Sequence, residues 1–233
     1  MNHTVIKDTL SYDRVIVVSD VHGCLEPLER LLERVKVVDR DLVLFVGDLV
    51  NKGPDGPGVL RKVRSLPGAM SVRGNHEERL NIGKEITDKE KFLSEELGFL
   101  KSLPLSIFVQ DRNLLVVHAG INQQRSIEKQ KKKEVLNMRT IDMRNSTASD
   151  DHEDQFHKLW ASIYKGPHFV VFGHNAKRGL QQEPHALGID TGCVYGRELT
   201  AAVFSGHAND GYQLGHEPNG TCALGQALFI SED

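Results

Sequence analysis

Long apolar runs are missing from this 233-residue chain. No stretch approaches the ~18 consecutive apolar residues of a membrane helix, so a membrane-spanning role is not expected. Cysteine is scarce: Cys24, Cys193 and Cys222 are widely spaced, odd in number and never in a CxxC pair. That argues against a disulfide framework and against a thiolate zinc site, and it fits a reducing, intracellular and cytoplasmic setting. An excess of positive charge is missing too. A formal net charge of −3 argues against a surface that coats DNA, while leaving room for a local basic pocket that takes a polyphosphate. The N-terminal MNHTVIKDTLSYD has neither the basic start nor the apolar core of a secretory signal. The rest is an ordinary globular composition, 39% hydrophobic and 26% charged, read as one domain over 1–233 because no linker interrupts it.

What is present is a repeated event. Buried strands are expected over Arg14 to Ser19 and Asp41 to Val46, where β-branched and apolar residues run without alternation, and again over Ala69 to Val72 and His168 to Phe172. Asn113 to His118 pairs with Leu105 to Gln110 about a turn at Asp111 and Arg112. Each of these strands ends within a residue or two of a group able to bind a metal: Asp20 with His22, Asp48, Asn75, His118 and His174. Helices are expected from Leu25, over Val59 to Leu66, from the Asn75 to Glu78 region, behind the capping-box spacing Thr87-Asp88-Lys89-Glu90, and over Phe156 to Ile163. The tail, with β signals at Ala186 to Asp190, Leu199 to Phe204 and Ala223 to Ile230, should be mainly antiparallel sheet. Residues 122–154 shift to a basic run and then an acidic, polar one, read as an inserted helix and mobile loop.

Ligands in open α/β sheets collect at the carboxyl ends of strands, so the five strand ends are expected to converge. Carboxylate, imidazole and amide oxygen without thiolate suit Mn²⁺ foremost, with Fe, Zn²⁺ or Co²⁺ also compatible. Two such cations ~3.5–4 Å apart need a shared anion, a part that Asp48 can fill; water held between them would attack phosphorus as hydroxide. The departing oxygen needs a proton, and His76, beside Asn75, is the candidate acid.

The order SDVHG, GDLVNKG, RGNHE, HAG and GH resembles the phosphoprotein-phosphatase branch of the calcineurin-like metallophosphoesterases. Within it the match is read as closest to ApaH-like phosphatases, relatives of the symmetrical diadenosine tetraphosphatases, because Gly188 to Gly196, GIDTGCVYG, is similar to a segment of that group. The resemblance implies an α/β fold of two mixed β-sheets packed as a sandwich and flanked by helices. It implies that Asp20 and His22 bind one metal, that Asn75, His118 and His174 bind the other, that Asp48 bridges them and that His76 is the acid. The implied reaction is cleavage of a phosphoanhydride in a dinucleoside polyphosphate, first diadenosine tetraphosphate to two ADP, or in a capped RNA 5′ end. A protein serine/threonine phosphatase and a non-catalytic nucleotide-binding module are the alternatives.

Asn51-Lys52 stands where protein phosphatases of this branch have Asp-Arg. A point charge replaces a bidentate fork, and the carboxylate that would support His76 is missing. Lys52 is expected to contact phosphate, as is Arg139, with Arg144 close by and equally basic. Tyr195 is expected either to stack on a nucleobase or to pack in a turn. Arg73 fits a phosphate contact or a structural salt bridge, and Lys129, Lys131, Lys132 and Lys133 a solvated helix face.

Overall fold

A computed structural model describes residues 2–86 and 89–219. The chain runs β1 (His3–Ile6), β2 (Arg14–Val18), α1 (Leu25–Arg34), β3 (Asp41–Phe45), α2 (Gly56–Ser65), β4 (Met70–Ser71), α3 (Asn75–Asn81) and α4 (Ser94–Ser102). Then come β5 (Ser106–Val109), β6 (Leu114–Val117), α5 (Lys132–Asn137), β7 (Thr140–Asp142), β8 (Thr147–Ser149), β9 (His157–Leu159) and α6 (Trp160–Ile163). β10 (Phe169–Phe172), β11 (Gln181–Glu183), β12 (Ala186–Gly188), β13 (Glu198–Phe204) and β14 (Gln213–Pro218) follow.

One sheet has the order β14-β13-β2-β3-β4 and a second the order β1-β5-β6-β10-β12-β11. Both are mixed: β2, β3 and β4 are parallel while β13 is antiparallel to β2, and β6 and β10 are parallel while β5 is antiparallel to β6. The pleat explains why the strands are apolar throughout. On β2, Val15 and Val17 enter a core shared with Leu114, Val116 and Val171 of the other sheet. Ile16 and Val18 face the opposite way, against Leu28, Leu31 and Leu32 of α1 and Val59, Leu60 and Val63 of α2. Successive side chains point to opposite faces, so a sheet covered on both sides requires apolar residues at every position. The second sheet is covered likewise, Val117, Val170 and Phe172 meeting Val135, Trp160 and Tyr164. Two sheets between layers of helix are thus built as the sequence implies.

The insert differs from its expectation. A single 3₁₀ turn at Ile127–Lys129 and the short α5 are its helical parts; the polar stretch after them forms the three-stranded antiparallel sheet β8-β7-β9. A local hairpin signal explains it: Ser146 has φ 58°, and the Asn145 side chain accepts from the Thr147 N–H at 3.0 Å. Strands three residues long carry too little alternation to be seen in sequence. Pairing with β7 also claims His157–Leu159, cutting the helix expected over Phe156 to Ile163 to Trp160–Ile163. The Thr87-Asp88 start of the expected capping box, Cys222 and the β signal at Ala223 to Ile230 lie outside the described residues.

Candidate functional site

Because β2, β3 and β4 run parallel in one sheet and β6 and β10 in the other, their carboxyl ends open onto one edge of the sandwich. Backbone bonds stitch the edge together: Val46 N–H donates to the Val18 carbonyl at 3.0 Å, His22 N–H to the Asp48 carbonyl at 2.8 Å, and Gly173 N–H to the His118 carbonyl at 2.7 Å. His22, Asp48, Asn51, Lys52 and His174 all have positive φ, between 49° and 76°. Left-handed backbone is uncommon in residues with a β-carbon, and its concentration here turns these side chains into one space. Two motif glycines are required by close approach. A β-carbon on Gly74 would lie 2.0 Å from Asp48 Oδ1, and one on Gly173 would lie 1.9 Å from Asp20 Oδ1.

Asp48 is central. Its Oδ2 lies 3.4 Å from His22 Nε2, 3.6 Å from His118 Nε2 and 4.0 Å from His76 Nε2, while its Oδ1 accepts the His76 N–H at 2.9 Å. Asn75 Oδ1 gathers His118 Nε2 at 2.9 Å and His174 Nδ1 at 3.1 Å. Asp20 accepts the His174 N–H at 3.2 Å. Two ligand clusters share Asp48: His22, Asp48 and His76 in one, Asp20, Asp48 and His118 in the other. The sharing agrees with a bridge, whereas the membership cuts across the division that the family resemblance implies. His118 groups with Asp20 as well as with Asn75 and His174, and His76 approaches as closely as a ligand would.

Electrostatics suit cations. Burial, with Asp190 and Asp48 as neighbours, holds the Asp20 carboxyl well above the usual range; burial pushes Asp48 up to about 7. Burial also drives His22 and His174 well below an ordinary imidazole, lowers His118, and lowers His76 to about 3. The imidazoles are therefore neutral and able to ligate, and the crowded carboxylates repel one another until a positive charge joins them. The backbone carbonyls of Val50 and Val46 engage Nδ1 of His22 at 3.3 Å and of His118 at 2.8 Å, turning each Nε2 inward. His174 Nε2 is buried without a hydrogen-bond partner. Donor set, orientation and orphaned nitrogen together fit two divalent cations.

Around this centre, Lys52 Nζ lies 3.2 Å from His22 Nε2 and donates to the Tyr195 hydroxyl at 2.9 Å. Arg139 lines a cleft next to His174, whereas Arg144 is engaged elsewhere, forked onto Asp142 at 2.9 and 2.8 Å. Tyr195 stands in the tight turn Cys193–Tyr195 and is 60% exposed, with Lys52 Nζ 5.2 Å from its ring centroid. Arg73 bonds Glu78 at 2.9 Å and the Lys101 carbonyl at 2.8 Å, which is the structural reading. Lys132 pairs with Glu78 at 2.6 Å.

His76 has a partner after all. The Asn51 side-chain amide lies 2.6 Å from His76 Nδ1, in the place from which a carboxylate would act. Glu77 was not singled out from sequence either, although it closes the RGNHE motif. Fully buried, its carboxylate accepts the N–H groups of Asp48 and Gly74, each at 2.8 Å, and of Leu49 at 3.0 Å, tying α3 to the loop after β3. Asp190, buried in the GIDTGC segment, is a third aspartate near the centre; it accepts the Gly192 N–H at 3.0 Å.

Residues 13–218 match the calcineurin-like phosphoesterase family. The chain belongs to that family. Among solved structures, this phosphoesterase is similar to a crystal structure described as a candidate diadenosine tetraphosphatase, with 38% identity, a TM-score of 0.81, and coverage of 93% of this chain and 97% of the other. It is also similar to the asymmetrical bis(5′-nucleosyl)-tetraphosphatases PrpE of Oceanobacillus iheyensis (29% identity over 82% of this chain and 88% of that protein) and Bacillus thuringiensis (27%, 82% and 89%). A yeast serine/threonine phosphatase at 18% identity and TM-score 0.56 shares the fold. The expected placement in the symmetrical, ApaH-like branch is overturned by these relatives. The segment Gly188 to Gly196 on which that placement rested does not distinguish symmetrical from asymmetrical cleavage. The protein is a hydrolase of the metallophosphoesterase kind, similar to bis(5′-nucleosyl)-tetraphosphatases. Among the described residues no helix is long and apolar enough to cross a membrane.

Proposed function

We propose that this phosphoesterase hydrolyses dinucleoside tetraphosphates asymmetrically, to a nucleoside triphosphate and a nucleoside monophosphate. The observation that carries the chemistry is the convergence of three imidazole nitrogens and two clusters of ligands on the single carboxylate of Asp48. The likeness to PrpE proteins carries the choice of products. Asp20, His22, Asp48, Asn75, His118 and His174 would hold two divalent cations, with Mn²⁺ first and Fe, Zn²⁺ or Co²⁺ as alternatives. Such cations supply Lewis-acid polarisation of a phosphoryl oxygen and acidification of a water.

The chain's own residues do the rest. His76, its Nδ1 held against the Asn51 amide, presents Nε2 to the centre; as the imidazolium it would give the Nε2 proton to the leaving phosphate oxygen and return to neutral imidazole. Lys52 lies against His22 and places a positive charge where a phosphoryl group would sit; Arg139 adds a second across the centre, and Tyr195 offers a ring face for a nucleobase.

The test is hydrolysis with Mn²⁺ of diadenosine tetraphosphate, capped RNA and a phosphopeptide, with products separated by ion-exchange chromatography. ATP and AMP in equal amounts are expected from the first. Two ADP, or turnover of the phosphopeptide alone, would overturn the proposal. Asn51→Ala should lower kcat about tenfold with KM little changed, since it frees the His76 ring without touching phosphate contacts. Asn51→Asp, which restores a partner at Nδ1, should recover most of the loss. Equal kcat for wild type and Asn51→Ala in steady-state kinetics would show that the amide does not position His76.

A further inference from the structure

Beside the metal-binding edge lies a cleft of about 360 Å³, most of whose positive charge the centre does not use. Its walls include Arg139, His152, His174, Lys177, Tyr195 and Arg197, and among the described residues no Asp or Glu lines it. In a chain of net charge −3 that is a local reversal of sign. Among the described residues the cleft's permanent cations also form no ion pair with a carboxylate. Arg14, Arg40, Arg73 and Arg144 each lie on a carboxylate. Arg139 instead donates Nη1 to the Asp150 carbonyl at 2.7 Å, and Arg197 donates Nη2 to the Ala176 carbonyl, so each guanidinium is aimed by a neutral acceptor; the buried Asp190 feels the charge of Arg197 without forming an ion pair with it. Lys177 is exposed and, among the described residues, pairs with no carboxylate. The buried side-chain oxygen of Asn175, also on the wall, has no hydrogen-bond partner.

A single phosphoryl group held at the two-cation centre, with Lys52 and Arg139 beside it, leaves the cleft's other two permanent cations, Lys177 and Arg197, without a phosphate to meet. A chain of further phosphates supplies the matching charge, and the volume lies in the range of nucleotide-sized ligand sites, roughly 300–1,000 Å³. His174 belongs to both the centre and the cleft wall, so the two are continuous and a ligand can span them.

We infer that this cleft is a polyphosphate subsite that reads phosphate-chain length, with Lys177 and Arg197 holding the phosphates beyond the one under attack and Arg139 at the junction. The inference rests on the phosphoanhydride reading above and names what favours a polyphosphate over a phosphomonoester. Binding there is largely Coulombic, so it weakens with ionic strength more steeply than binding of inorganic phosphate at the centre does.

Calorimetry on the Mn²⁺-loaded protein tests it, comparing inorganic tripolyphosphate, titrated as its preformed manganese complex, with inorganic phosphate. The wild type should bind tripolyphosphate at least about tenfold more tightly than phosphate. Lys177→Glu, at an exposed position that disturbs no packing, should remove most of that preference and leave phosphate affinity unchanged; Lys177→Met should fall between. Equal affinity of wild type and Lys177→Glu for tripolyphosphate, or an equal loss for both ligands, would overturn the subsite. Failure to hydrolyse dinucleoside tetraphosphates, with Lys177-dependent tripolyphosphate binding intact, would overturn the proposed substrate and leave the subsite standing.

Discussion

Asp48→Asn is expected to lower kcat/KM by about 10³-fold or more, a loss on the order of 4 kcal/mol of transition-state stabilisation, while the protein stays folded. The asparagine keeps the size of the side chain and an oxygen able to accept the His76 N–H, which Asp48 Oδ1 now accepts at 2.9 Å. What it removes is the negative charge toward which His22, His76 and His118 all point Nε2. Two cations a few ångströms apart repel strongly in a buried site unless an anion lies between them, and no other carboxylate belongs to both ligand clusters. The metal content of the variant should therefore fall from two toward one per chain, measured by elemental analysis after gel filtration, with an unchanged far-ultraviolet circular dichroism spectrum. A variant that keeps two metals and near-normal turnover would refute the bridge.

Glu77→Ala should have the largest effect on folding, about 3–5 kcal/mol, because it removes a buried anion and strands the donors it satisfies. The Asp48, Leu49 and Gly74 N–H groups all lose their acceptor, and these lie on the two segments that carry Asp48 and Asn75. Burial, reinforced by the nearby Asp48, pushes the Glu77 carboxyl up to about 7, against which the N–H groups and His118 pull it back. Glu77→Gln keeps one acceptor oxygen but turns an NH₂ toward N–H donors, so it should cost less than the alanine and still reduce activity by loosening Asp48. Urea denaturation, followed by fluorescence of Trp160, measures both. A loss below about 1 kcal/mol for Glu77→Ala would mean that the loop finds its acceptors elsewhere.

The sandwich and the convergence of strand ends were legible because both follow from short-range rules. An uninterrupted apolar strand must be covered on both faces, and parallel strands deliver their carboxyl ends to one side. Asp20, Asp48, Asn75, His118 and His174 each stand at such an end, so their meeting could be argued before any distance was known. Asn51 was less legible. Its identity shows that a carboxylate is absent, while its contact with His76 Nδ1 depends on the left-handed backbone at Asn51 and Lys52, which the tertiary structure sets. The β-sheet of the insert was missed because pairing across residues 140–159 supplies what three-residue strands lack in local pattern.

By itself the sequence determined the chemistry of the centre: which donor types are present, that thiolates are not among them, and that they arrive at the ends of buried strands. It did so because strand burial and side-chain type are properties of neighbouring residues. The tertiary structure alone decided which groups share an atom-scale space. It brought Asp48 into both clusters, placed Asn51 against His76, separated Arg139 from Arg144, and aligned Arg139, Lys177 and Arg197 along one cleft. Residues 139, 177 and 197 stand on three separate segments, and the field they make together exists only when the fold sets them side by side.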